Sequence, residues 1–200
     1  MSQVLPTNGR ITQTFSTPVN YIAGRNKHEA VDIVTKGEID YCALGNCKVY
    51  RVIDKYNEGS TTGYGNEVYL DYGNDLLVRS CHHNKIYVKE GDELTGGDRV
   101  ASIGRTGYRS PVSIYHTHIE VLKGAVRIDP LPIFNQLNEQ FMSDLKVLRN
   151  DHEAFVKSTW KRLDALELNV STILRDVQDI KNNKWGKKRI ARFLEKMNIK

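Results

Sequence analysis

The sequence predicts a mainly β domain built on an antiparallel sheet, followed by a long C-terminal α-helix. Three observations carry this. From Arg10 to about Ile128, short alternating runs such as "CKVYRVI", "NEVYLDYG" and "HTHIEVL" are broken by Gly, Asn and Asp. Hairpin turns are signalled at "DYGND" and "LTGGD". From Phe134 to about Ile180 proline and glycine are absent, and apolar residues recur at three and four.

The β domain is expected over residues 1–133. "RIDPLPIF" closes it, because its two prolines are poorly tolerated inside a central strand or helix. The helix is expected over 134–182, where Leu163, Leu166, Val170, Ile173, Val177 and Ile180 fill a and d of three consecutive heptads. At roughly 1.5 Å per residue it would be about 70 Å long, too long to hide within a small domain. Ile at two d positions with Val at a favours a trimeric homo-oligomer over a dimer, with docking onto another protein, or a helical hairpin folded back on its own domain, as alternatives. Upstream, Val156 and Leu145 share the seam with Thr159, His152 and Arg149, so that half is a poorer coiled coil.

Residues 183–200 form a basic tail. The net charge of +5 is concentrated there: the last twenty residues hold eight Lys/Arg against Glu195 alone. Such an end suits a polyanion such as nucleic acid, teichoic acid or an anionic membrane surface, but it also describes a solvated helix terminus, which is the preferred reading. No window approaches eighteen consecutive apolar residues, and "MSQVLPTNGRITQTF" has neither a basic leader nor an apolar run, so neither a membrane span nor a signal peptide is expected. Cys42, Cys47 and Cys81 match no common zinc or redox spacing and read as small buried thiols.

The chemistry gathers in the β domain, which holds five of the six histidines. In "SIYHTHIEV", the β-branched and aromatic neighbours favour a strand, where residues i and i+2 share a face; His116 and His118 then point to one place. Taken alone, the pair also fits two surface histidines on an edge strand. In "HEAVDIV", His28 and Asp32 are four apart and lie on one side of the chain. In "RSCHHNK", alternation turns Ser80 and His82 to one face and Cys81 and His83 to the other, with His82 toward a cleft and His83 an exposed bystander. Glu120 follows His118 on the same face, where it either supports an imidazole or faces solvent. His28, Asp32 and His118 together offer two nitrogens and one carboxylate oxygen. That is the three-ligand set with an open fourth position that marks catalytic zinc; calcium or magnesium would call for more oxygens.

Over about Gly24 to Pro130 these residues resemble the lysostaphin-like (LytM-type) zinc endopeptidases, which cut peptide bonds in bacterial peptidoglycan. "HEAVD" resembles the family's HxGxD with Ala30 for glycine. "GYGNEVYLDYGND" resembles GYGNxVxIxHGNG, and "SCHHNKIYVKEGD" resembles YAHLS, an apolar strand and GD, which puts the functional histidine at His82. "GRTGYRSPVSIYHTHIEV" resembles GxTGxSTGPHLHFEV, and "DPLPIF" the usual exit. Ser80, Cys81 and "SPVSIY" depart from the pattern at groove walls rather than at ligands. The resemblance implies a lysostaphin-like peptidase fold and one Zn²⁺ per chain held by His28, Asp32 and His118. It also implies that His82 and His116 flank the attacking water, one taking its proton while the other stabilises the oxyanion or protonates the leaving amine.

A wall peptidase without a signal peptide, joined to an oligomerising helix, suggests a bacteriophage tail-tip protein that opens the host wall from the virion. A phage lysis enzyme and a non-catalytic peptidoglycan-binding virion protein are the alternatives. Nucleic-acid binding by the tail ranks last.

Overall fold

In the computed structural model the described residues are 5–19, 26–58, 60, 62–107, 114–182 and 186–196. Residues 108–113, just before the histidine pair in the sequence, lie outside them, as do parts of the basic tail. The chain divides into two compact units, Met1–Asp144 and Leu145–Lys200.

Ten strands among the described residues form one antiparallel sheet. They are β1 (Arg10–Gln13), β2 (Val31–Val34), β3 (Asp40–Cys42), β4 (Cys47–Ile53), β5 (Asn66–Asp71), β6 (Leu76–Ile86), β7 (Glu93–Leu94), β8 (Arg99–Ile103), β9 (His116–Lys123) and β10 (Val126–Ile128). The main path runs β1-β2-β9-β6-β5-β4-β7; β10 pairs with β9, and β8 pairs with both β3 and β6. The hairpin predicted at "DYGND" is present, with Gly73, Asn74 and Asp75 at positive φ between the paired strands β5 and β6. At "LTGGD", with Gly97 at positive φ, the chain turns but makes no hairpin, because β7 pairs with β4 while β8 pairs with β3 and β6.

Alternation sorts the sheet into two faces. Val31 and Ile33, Ile119 and Val121, Val68 and Leu70, and Val78 turn to one face and are fully buried in the core. Each such side chain is worth roughly 1.5–3 kcal/mol on leaving water. The intervening positions, Asp32, His118, Glu120, Arg79, Tyr69 and Glu67, turn to the other face, so the strands that build the core also gather the polar groups.

Strand β6 breaks this rule once. It pairs with β9 over Leu76–Ser80 and with β8 from His83 onward. At the change of partner His82 has φ 68, and Ser80, Cys81, His82 and His83 are all buried. His83 is therefore a core residue and not the exposed bystander that regular alternation implies. Its Nε2 lies 2.8 Å from Ser80 Oγ and its Nδ1 3.3 Å from the Ser102 carbonyl.

Helix α1 (Pro130–Lys181) begins ahead of Phe134 because Asp129 caps it: the Leu131 amide donates to Asp129 Oδ1 at 3.1 Å, and Pro130 occupies the first turn, where its missing N–H costs nothing. Pro130 and Phe134 are buried, and Leu131 and Leu137 pack against the β core. In the second unit Leu163, Leu166, Val170 and Leu174 of α1 are exposed, and the basic tail carries a helix, α2 (Lys187–Lys196). No helix among the described residues is long and apolar enough to cross a membrane. Cys47 and Cys81 are buried, Cys42 is half-buried, and all three are free thiols.

Candidate metal centre

The antiparallel register of β2 and β9 sets Asp32 directly opposite His118 and Val34 opposite His116. His28 comes from the segment just before β2, where its amide donates to the Thr17 carbonyl at 2.8 Å. Three donor atoms meet as a result. His118 Nδ1 lies 2.8 Å from Asp32 Oδ1 and 3.2 Å from His28 Nε2, and the third edge, His28 Nε2 to Asp32 Oδ1, is 3.4 Å. Ligand atoms at tetrahedral positions around zinc, with bonds of about 2.0–2.1 Å, stand about 3.3 Å apart. The triangle is thus the size of one face of a zinc tetrahedron and leaves the fourth corner open, so these residues fit zinc. Among the described residues this is the one cluster of His, Cys, Asp or Glu with such spacing.

The electrostatics follow from burial. Loss of water around Asp32 works to raise its pKa, but hydrogen bonds from His118 and then His28 outweigh that and hold the carboxyl well below the usual carboxylate range. Burial works to lower His118, and its contacts with Asp32 and Glu120 raise it to about 9. Glu120 is 1% exposed rather than solvent-facing. Burial would raise its pKa, yet His118, Arg79 and Arg127 bring it down to about 2.

His82 and His116 stand beside the triangle. Their ring centroids are 4.6 Å apart, and His82 is 6.2 Å from the His118 ring. His82 is held at both ends: its amide donates to the Tyr64 carbonyl at 3.0 Å, and its Nδ1 lies 2.8 Å from the Thr106 carbonyl. A carbonyl only accepts, so Nδ1 carries the proton and Nε2 is left as an acceptor. Burial, followed by the neighbouring His116 and His118, lowers the His82 pKa to about 3 and keeps the ring neutral.

The carbonyls that hold His82 are fixed by "GYGN" and "TG". Asn66 Oδ1 accepts from the amides of Lys55 and Tyr56, its Nδ2 donates to the carbonyls of Tyr56 and His83, and its amide donates to Thr106 Oγ1. Gly65 (φ +69) and Gly107 (φ +78) lie against each other; a Cβ on Gly107 would come within 2.3 Å of the Gly65 nitrogen.

All five sequence-predicted residues, His28, Asp32, His82, His116 and His118, therefore fall in one neighbourhood. Sequence reasoning missed the charges beneath them. Arg79, directly opposite Glu120 in the β6–β9 register, bonds Glu67 at 2.7 Å and Glu120 at 3.0 Å and stacks 3.9 Å from the centroid of Tyr64. The one available signal was a cation inside the apolar run "LLVRSC".

Residues 26–130 match Peptidase family M23. Murein hydrolase activator NlpD of Escherichia coli is 26% identical over 127 residues, 63% of this chain and 29% of that protein. Outer membrane antigenic lipoprotein B of Histophilus somni is 30% identical over 105 residues, 52% of this chain and 28% of that protein. The chain thus spans less than a third of the length of these curated relatives. The catalytic domain of lysostaphin from Staphylococcus simulans has the same fold, with a TM-score of 0.54 at 22% identity over 64% of this chain and 93% of that one.

These relatives overturn the expected virion localisation, since proteins named as lipoproteins, one of the outer membrane, point to the bacterial envelope. The virion expectation leans on the composition of the first residues and on a long helix, and neither reports a compartment. A β domain packs the same core wherever it works.

Proposed function

This chain belongs to Peptidase family M23, the lysostaphin-like metallopeptidases, and on that premise we propose that it is a zinc-dependent endopeptidase hydrolysing peptide bonds of bacterial peptidoglycan. The observation that carries the reading is the triangle of His28 Nε2, Asp32 Oδ1 and His118 Nδ1 with two further imidazoles beside it. Zinc bound there supplies Lewis acidity, which makes a water nucleophilic near neutral pH and polarises the scissile carbonyl.

The chain's own groups supply the rest. His82, neutral and with Nε2 bare, accepts a proton from the attacking water, while the Thr106 carbonyl holds its tautomer and orientation. His116, ring to ring with it, serves the carbonyl oxygen or the leaving amine. The exposed Leu163, Leu166 and Val170, continued in register by the half-buried Ile173, Val177 and Ile180, support self-association through α1, a trimer being favoured.

A second reading is favoured by the name of one relative: a regulator that activates another murein hydrolase without cutting peptide bonds itself. The complete set of three donors and two accompanying histidines argues for catalysis instead. The deciding experiment incubates the zinc-loaded protein with purified peptidoglycan and identifies released fragments by mass spectrometry. New peptide termini that vanish in the His116→Ala variant support the endopeptidase. No new termini, together with stimulation of an added wall hydrolase, would support the regulator.

A further inference from the structure

Two buried polar atoms on one face of β9, two residues apart along the strand, approach each other, each without a hydrogen-bond partner among the described residues: His118 Nε2 and Glu120 Oε1, 3.6 Å apart. One is a donor once Nδ1 of the same ring is a ligand, because a neutral metal-bound imidazole keeps its proton on the other nitrogen. The other can only accept. From this we infer that Glu120, fixed by Arg79 and Arg127, is the positioning residue that sets the tautomer and tilt of His118, and that zinc affinity is tuned from these arginines. The inference rests on the reading of His118 as a zinc ligand.

The geometry leaves Glu120 little freedom. Its second oxygen, Oε2, accepts a hydrogen bond from Arg79 Nη1 at 3.0 Å and is ion-paired, without a hydrogen bond, to Arg127 Nε at 3.1 Å. Arg79 is itself pinned by the Glu67 carboxylate at 2.7 Å and by the face of Tyr64. A carboxylate held by two guanidinium groups stays ionised even when buried, and its remaining oxygen is aimed by the other two contacts. The charges balance as well: Glu67 and Glu120 against Arg79 and Arg127. A glutamate serving packing alone would be expected to use both oxygens on the arginines, whereas here one is reserved for the imidazole.

The test measures zinc affinity of the full-length protein by competition with a chromophoric chelator, alongside the thermal midpoint of the metal-free protein and the ¹⁵N shifts of the His118 ring. Glu120→Gln is expected to weaken zinc binding roughly 10- to 100-fold, the range found when outer-shell partners of a ligand histidine are removed. Arg127→Gln, at the more exposed end of the network, is expected to weaken it several-fold, with Arg127→Lys recovering most of the loss. In the wild type the zinc-loaded His118 ring should carry its proton on Nε2. Should Glu120→Gln not fold, Arg127→Gln decides. Affinities within twofold of wild type in folded variants would overturn the inference and leave the peptidase reading standing. A wild-type chain that binds no zinc would overturn both.

Discussion

His118 and Asp32, 86 residues apart in the chain, lie directly opposite each other in adjacent antiparallel strands with Nδ1 2.8 Å from Oδ1. The register leaves no other residue of β2 in place of the carboxylate, so single substitutions there should be decisive. Dialysed His118→Ala and Asp32→Ala are expected to contain less than a tenth of the zinc of the wild type by elemental analysis and to release no peptide from peptidoglycan. In the wild type, zinc at about 100 times its dissociation constant should add roughly 2.7 kcal/mol of stability, seen as a higher thermal midpoint that a chelator reverses.

Substitutions at His82 and His116 should separate chemistry from metal binding. Neither is part of the donor triangle, so His82→Ala and His116→Ala are expected to keep full zinc content while kcat falls roughly 10²- to 10⁴-fold. Zinc loss in either variant would count against the proposed division of labour.

Acid sensitivity of the fold should trace in part to His83. Burial lowers its pKa from 6.5 to about 4, so between those values the unfolded chain binds a proton that the folded chain does not. Its contribution is complete above pH 6.5 and is lost as the pH falls toward 4, about 3 kcal/mol in order of magnitude. His82, lowered to about 3, acts in the same direction. Urea denaturation followed by circular dichroism at pH 7, 5.5 and 4.5 should show the decline. His83→Gln should show a shallower one.

The glycines of the loop behind His82 should differ sharply in tolerance. A Cβ at Gly65 would lie 2.5 Å from backbone atoms of Thr106, whereas at Gly63, also at positive φ, it would meet nothing within 4 Å. Gly63→Ala is expected to cost about 1 kcal/mol, the backbone term alone. Gly65→Ala should cost upwards of about 3 kcal/mol in chemical denaturation and should lower kcat by displacing the carbonyl that orients His82.

Self-association should depend on the helix rather than the sheet. Leu166→Glu combined with Val170→Glu is expected to reduce the mass seen by sedimentation equilibrium to that of one chain while peptidoglycan cleavage per chain is retained. An unchanged mass would remove the coiled-coil reading.

Much of the site was legible because its signals are local. His116 and His118 share a strand face by the twofold period of a strand, and His28 and Asp32 are close in sequence. The structure differs where a local rule meets a tertiary demand. His83 was expected outside because alternation presumes an unbroken strand, and β6 changes partner beside it. The helix starts at Pro130 rather than at Phe134, because proline in a first turn reads in sequence like a breaker. The ion network around Arg79 joins β5, β6, β9 and β10, and only the pairing of strands distant in sequence reveals it.

The β2–β9 pairing also bears on the order of assembly. His28 and Asp32 come from the early part of the sheet and His118 from a late strand, so the donor triangle does not exist until a long loop has closed and Val31, Ile33, Ile119 and Val121 are packed. A metal cannot nucleate such a fold as it does in a zinc finger, where neighbouring ligands recruit the ion first. Under the proposed zinc reading it would arrive as a guest in a finished host, and the empty host should refold, wait, and be charged last.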